Sequence, residues 1–170
     1  MPVLLEGSCH CKAIKYTVES NTPVPYALCQ CSICRKAGGY MGSVNIMGNT
    51  KTLKIIRGED KIKKYTAVKT FDENDIPKER WNSERAFCPE CSSMLWCYDD
   101  QWPDWIYPFA SSIDKPDPLP SIPEGAHLMA IKRDSCSPTL PIPEGAKAYQ
   151  GYPPGKGIEE WHKTNGVWVD

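Results

Sequence analysis

The sequence predicts a mainly-β domain whose short strands are pinned together by clustered cysteines. Three observations carry this. Stretches such as Ile14-Lys15-Tyr16-Thr17-Val18 alternate apolar and polar residues, the mark of a half-buried strand. No long amphipathic helix appears anywhere in the chain. Seven of the nine cysteines fall into three tight groups: Cys9-His10-Cys11, Cys29-Gln30-Cys31-Ser32-Ile33-Cys34 and Cys88-Pro89-Glu90-Cys91.

A length of 170 residues suits a single domain spanning 1–170. Its core runs from about 5 to 133, and a proline-rich C-terminal extension, 138–170, is expected to dock on it. A formal net charge of −1 gives no basic excess to attract nucleic acid. No apolar run approaches the ~18–20 residues of a membrane span. Met1 to Gly7 lacks the positive start and long apolar stretch of a signal peptide. The expected location is cytoplasmic, and the expected partner is a small molecule, with neither nucleic acid nor membrane.

That compartment bears on the cysteines. Their count is odd, C-x-C is a poor disulfide pair, and clustered thiols in a reducing environment are more often metal ligands. Each cluster is a tight turn that aims two or three thiolates at one point, which is how proteins hold zinc. Seven ligands divide as four plus three. Four thiolates close a structural site, and three leave an open coordination position of the kind catalysis uses.

In chain order, residues 3–8 and 12–19 read as strands joined by the first knuckle. Asn21 to Pro25 forces an extended turn. Tyr26 to Leu28 is a short strand leading to the second cluster. Cys31 to Ala37 makes about one turn of helix that Gly38-Gly39 ends. Val44, Ile46 and Met47 suggest a strand stopped by Gly48-Asn49. Leu53 to Arg57 and Ile62 to Thr66 flank Gly58-Glu59-Asp60, the pattern of a β-hairpin. Residues 69–84 are charged and aperiodic and read as the longest loop. After the third knuckle come two aromatic strands, around Met94 to Tyr98 and Trp105 to Phe109, joined by a turn over Asp99 to Asp104. Their aromatic face, with Trp96, Trp102, Trp105 and Tyr107, fits a core or the wall of a ligand cavity, and core is the better reading. Residues 114–125 and 138–157 are proline-rich. Ile122-Pro-Glu-Gly-Ala126 recurs as Ile142-Pro-Glu-Gly-Ala146, read as two similar turns and not as a repeat architecture. His127 to Ile131 is a final strand. Gly155-Lys156-Gly157 lacks the spacing of a P-loop. The tail from Ile158 holds Trp161, His162 and Trp168, and its tryptophans predict that it packs on the body.

Three stretches resemble one known family. Gly7-Ser8-Cys9-His10-Cys11-Lys12-Ala13-Ile14 is similar to its opening, Cys29-Gln30-Cys31-Ser32-Ile33-Cys34-Arg35-Lys36-Ala37-Gly38-Gly39 to its central motif, and Phe87-Cys88-Pro89-Glu90-Cys91 to its third. The family is that of the glutathione-dependent formaldehyde-activating enzymes, which shares its domain with centromere protein V. The resemblance runs from about Leu5 to Trp161. It implies a β-tent fold of curled antiparallel sheets with little helix, stabilised by zinc at two sites. It assigns Cys9, Cys11, Cys88 and Cys91 to a structural zinc, and Cys29, Cys31 and Cys34 to a catalytic one. His10 is left out, because four thiolates already fill its site. The chain departs from the family at Ser92, where glycine is usual, and near Ser135 to Pro138, where a tryptophan is common. His127 and Glu159-Glu160-Trp161-His162 look familial.

The implied activity is that of a carbon–sulfur lyase or synthase acting on a glutathione-like thiol adduct of a small aldehyde such as formaldehyde. Three thiolates on Zn²⁺ leave a net charge of −1, so nearby cations should help. Arg35, directly after the last ligand, is the candidate: it offsets that charge or pairs with a substrate carboxylate, unless it is a surface cation or a donor to a cysteine sulfur. His127 is a candidate acid/base, set against a satisfied core histidine. Cys97 reads as a buried thiol and Cys136 as a loop thiol. The rival readings are a zinc enzyme of dehydratase or isomerase type on another small molecule, and a non-catalytic zinc-binding interaction module.

Overall fold

The structure is a computed structural model that describes residues 1–133, 135–136 and 139–170. In chain order the strands and helices are β1 (Val3–Ser8), β2 (Lys15–Ser20), β3 (Ala27–Cys29), α1 (Ser32–Gly38), β4 (Ser43–Val44), β5 (Gly48–Asn49), β6 (Lys54–Arg57), β7 (Lys63–Phe71), β8 (Pro77–Phe87), β9 (Met94–Tyr98), β10 (Trp105–Pro108), β11 (Ile113–Lys115), β12 (Met129–Lys132), β13 (Lys147–Gln150) and α2 (Ile158–Thr164). The protein is mainly β, as its alternating patterns predict. Both helices have seven residues, and among the described residues none is long and apolar enough to cross a membrane.

The strands form three sheets, in the orders β11-β1-β2-β6, β5-β10-β9-β8-β7 and β13-β12-β3-β4. The first two are antiparallel throughout. The third adds two parallel pairs, β12 with β3 and β12 with β13. Alternation places the core. On β2, Tyr16, Val18 and Ser20 point inward while Lys15 and Glu19 face water. Leu5, Ile14, Tyr16 and Val18 then meet Ala86, Leu95, Trp96 and Ile106 of the second sheet in one apolar cluster. Tyr16 and Trp96 pack edge to face there, with ring centres 5.0 Å apart. The Tyr16 hydroxyl lies 2.6 Å from Ser112 Oγ, so the buried phenol is not left without a partner.

A second cluster forms around the third sheet from Val24, Tyr26, Met129, Ile131 and Trp161. The tail packs on the body here. Trp161 of α2 stacks on Tyr26 at 4.1 Å. His162 beside it is 0 % exposed. The two Pro-Glu-Gly-Ala stretches are alike, as the sequence suggests. Ala126 N–H donates to Pro123 O and Ala146 N–H to Pro143 O, with Gly125 and Gly145 at φ +81° and +74°, the positive φ that a type II turn needs at its third residue.

Two expectations are corrected. Leu53 to Arg57 and Ile62 to Thr66 do not pair with each other: β6 joins β2 in the first sheet and β7 joins β8 in the second. The polar stretch between them, with a 3-10 turn at Glu59–Lys61, changes sheets where a hairpin would have turned back. Residues 69–84 are not a loop. They are the outer half of the β7–β8 hairpin, turning at Asp72, whose Oδ1 accepts from Asn74 and Ile76 N–H at 2.8 Å. Its side chains are exposed on both faces, so no hydrophobic period marks it as a strand. The missing tryptophan near Ser135 to Pro138 concerns a stretch that lies partly outside the described residues.

Candidate metal centres

The first knuckle is the turn of the β1–β2 hairpin and the third is the turn of the β8–β9 hairpin. Each closes on its own backbone. Cys9 N–H bonds Ile14 O at 3.2 Å, and Cys88 N–H bonds Ser93 O at 3.0 Å. In both, the residue after the second cysteine is left-handed: Lys12 at φ +61° and Ser92 at φ +62°. Because the two hairpins belong to sheets that share one core, their turns meet, and the sulfurs of Cys9, Cys11, Cys88 and Cys91 lie within 4.8 Å of one another.

Cys11 Sγ is 3.5 Å from Cys9 Sγ and 3.8 Å from Cys88 Sγ. At a zinc–sulfur bond of about 2.3 Å, the edge of a tetrahedron is about 3.8 Å, so the four sulfurs fit such an ion. The surroundings suit thiolates. Ile14 N–H donates to Cys9 Sγ at 3.2 Å, and Ser93 Oγ is 3.3 Å from Cys91 Sγ. Without a metal the four thiols share protons. Although burial opposes it, hydrogen bonds led by Ser93 bring Cys91 down to about 5, while Cys11 is pushed up to about 12 despite a backbone bond from Ala13. His10 donates its N–H to Ser93 Oγ at 3.0 Å, and its ring is not part of the sulfur group.

The second group is built within one short segment. Cys29 ends β3, Cys31 caps α1, and Cys34 lies in the helix's first turn. Cys31 Sγ accepts from Cys34 N–H at 3.4 Å. The i, i+3 spacing puts both sulfurs on one side of the helix, and the β3–α1 bend brings Cys29 to them. All three lie within 4.8 Å of one another. The bend needs Gly42. It has φ +114° and packs against the Cys29 carbonyl, where a side chain would run into Cys29 O. Cys31 is held as thiolate: hydrogen bonds from the Cys29 and Cys34 thiols bring its pKa down to about 2, and Cys29 and Cys34 are raised in turn. A cation at the centre of three sulfurs would replace that proton sharing. Both groups can hold a metal ion, one with four thiolates and one with three.

Arg35 lies beside the second group, but its guanidinium is committed to the main chain. Nη1 donates to Gln30 O at 2.6 Å and, more weakly, to Ser135 O at 3.4 Å. It braces the loop that carries Cys29 and Cys31. His127 is not brought to this group. It precedes β12, while Ile131, four residues on, is the residue paired with Cys29, and four extended residues span about 13 Å. His127 instead meets Tyr149, with Nε2 2.7 Å from the hydroxyl. Cys136 and Cys97 belong to neither sulfur group.

Tyr152 lies within electrostatic reach of the second group, and Tyr107 and Arg85 stand on either side of Cys97 in the second sheet. Tyr152 leaves 43 % of its surface exposed, yet its phenol is pushed up to about 12 by burial and then by the charge of Cys29. Tyr107 is pushed up to about 12 by burial and then by Cys97. Burial also raises the Cys97 thiol; Arg85 acts against this and Cys34 with it. Arg85 sits in β8 at 8 % exposure. Of the aromatic face, Trp96 is core, Trp102 is 59 % exposed and Tyr107 stands opposite Cys97. Two clefts, of about 440 and 410 Å³, lie elsewhere, beside Cys11 and between β6 and β9. The first is shaped by the loops around Cys11 and Gly58, the second by strand residues such as Ile55, Ala86, Trp96 and Ile106, and neither carries clustered sulfur chemistry beyond Cys11.

A family model described as "Glutathione-dependent formaldehyde-activating enzyme" matches residues 4–123. A protein of Halomonas elongata named "Putative glutathione-dependent formaldehyde-activating enzyme" is 39% identical over 166 residues, covering 97% of this chain and 98% of the relative. A crystal structure of a Rhodobacter sphaeroides protein aligns with TM-score 0.49 and 20% identity, over 69% of this chain and 99% of that one.

Proposed function

This chain belongs to the glutathione-dependent formaldehyde-activating enzyme family, and on that footing we propose that it makes or breaks the carbon–sulfur bond between a glutathione-like thiol and a small aldehyde. The observation that carries the reading is the presence of two separate sulfur groups, one of four and one of three. A scaffold needs only closed sites, and among the described residues the three-cysteine group is one ligand short of closure.

In the reading, Cys9, Cys11, Cys88 and Cys91 hold a structural zinc, and Cys29, Cys31 and Cys34 hold a catalytic one. Zinc held by these three cysteines would supply Lewis acidity and lower the pKa of the substrate thiol. In the forward direction the substrate's thiolate sulfur attacks the aldehyde carbon. A C–S bond forms, the carbonyl π pair moves to oxygen, and that oxygen takes a proton. In reverse, the hydroxyl gives up its proton and the C–S bond breaks.

The chain's own residues would serve this as follows. Arg35 holds the Gln30 carbonyl and so fixes the bend on which Cys29 and Cys31 stand. Tyr152 and Tyr107, both raised to about 12, keep their protons at neutral pH and can donate hydrogen bonds to the oxygen that gains charge.

The test is zinc per chain for the wild type and Cys31→Ser, each with and without glutathione. Two zincs in the wild type, one in the variant with its circular dichroism unchanged, and tighter zinc retention with glutathione are expected. One zinc in both proteins with no response to glutathione overturns the reading.

A further inference from the structure

We propose that Arg85 is an anion receptor of the three-cysteine site, where its guanidinium takes the carboxylate of the thiol substrate. The inference rests on the function proposed above and adds a specificity residue to it: the group that takes the carboxylate of the thiol substrate.

Arg85 of β8 stands directly opposite Cys97 of β9, and Cys97 stands opposite Tyr107 of β10. Direct partners on antiparallel strands share a face of the sheet, so the three side chains form one row. The other face is occupied differently: Glu84, Ala86, Trp96, Tyr98 and Ile106 line the 410 Å³ cleft. The row connects to the cysteines through main-chain pairing. Cys29 pairs with Ser43. Two residues on, Asn45 donates through Nδ2 to Tyr107 O at 3.1 Å and bridges to Phe109. The Cys97 thiol, between the two groups, is influenced by both Arg85 and Cys34.

Arg85 also has two buried donors, Nε and Nη1, without a hydrogen-bond partner among the described residues. Arginine stays charged at any working pH, and native proteins do not bury an unpaired charge without a complement. The adjacent acid, Glu84, lies on the opposite face and is bound to Lys64 at 2.7 Å. A carboxylate brought from outside the chain would supply the acceptors that Nε and Nη1 lack. Cys97 and Tyr107 are only half-buried, so the row opens to solvent at the end nearer the cysteines. A planar guanidinium can hold a planar carboxylate through two parallel N–H bonds.

The test uses the full, zinc-loaded chain in calorimetric titrations with 3-mercaptopropionate and with its amide, which keeps the thiol and removes the charge. The wild type should bind the acid about tenfold more tightly than the amide. Arg85→Gln should bind both with the affinity of the amide at unchanged zinc content, and Arg85→Lys should restore part of the gap. A wild type that binds both equally overturns the inference, and this comparison needs no variant to fold. A glutamine variant that keeps the gap also overturns it. So does one that loses zinc without changing the gap, which would make Arg85 a counter-charge to the thiolates. If neither thiol binds the wild type, the proposed function falls and Arg85 falls with it; equal binding leaves that function standing.

Discussion

The Cys11 and Cys88 sulfurs lie 3.8 Å apart although 77 residues separate them in the chain. Their contact joins the ends of two hairpins from different sheets. A cross-link closing a loop of that size removes roughly 4 kcal/mol of unfolded-chain entropy, and a metal held by four thiolates acts as such a cross-link. At roughly 2–4 °C per kcal/mol for a chain of this size, Cys88→Ser should lower Tm by about 10 °C. It should also remove one metal per chain. Scanning calorimetry with metal analysis on the same sample checks both. An unchanged Tm would mean that the shared apolar core, and not the four-cysteine group, holds the two hairpins together.

His162 sets an acid limit on the tail. It is fully buried between Val24 N–H, which donates to Nε2 at 3.1 Å, and Ile158 O, which accepts from Nδ1 at 2.7 Å. The ring is therefore neutral with its proton on Nδ1, and burial holds its pKa below the ordinary 6.5. Above pH 6.5 the ring is neutral in both folded and unfolded chains and has no effect on stability. Below it the unfolded chain binds a proton that the folded one refuses, so stability falls as pH falls, by up to about 1.4 kcal/mol per pH unit. Urea melts between pH 7.5 and 5.5 should show that slope, and His162→Gln should flatten it. The difference between the two proteins isolates this ring from the cysteines, which also take up protons in acid. Equal slopes would place the acid sensitivity elsewhere.

What could be read in advance follows from how each signal arises. The cysteine spacings carry ligand geometry directly, so a division into four and three was visible before any fold was known, while the pairing of the first cluster with the third came from the family resemblance. β2 and β10 each bury alternate residues and so show a period of two. The outer β7–β8 hairpin has water on both sides, from Lys69 to Arg80, and no period to show. The change of sheet between β6 and β7 was hidden because a short polar stretch between two strands suits a hairpin and a crossover equally well. Arg85 was hidden for a different reason. A charged residue in a charged segment looks solvated until the register sets it opposite Cys97. Arg35 was visible as a cation next to the ligands, but its bond to Gln30 O depends on the fold of the bend and not on spacing.

Ser92 gives the finest-grained expectation. It follows the last knuckle cysteine at φ +62°, and its N–H donates to Cys88 O at 2.8 Å, closing the turn. A residue with a Cβ is disfavoured in that conformation by roughly 1–2 kcal/mol. Glycine removes that strain but adds unfolded-state freedom worth about 0.5–1 kcal/mol. The relief of strain outweighs the added freedom, so Ser92→Gly should raise stability by up to about 1 kcal/mol. The hydroxyl at risk near Cys91 is that of Ser93, 3.3 Å from the sulfur, and this substitution leaves it in place. Metal content should therefore stay unchanged while Tm rises by a few degrees. A fall in Tm would mean that the serine side chain contributes more to the folded turn than its strained backbone takes away.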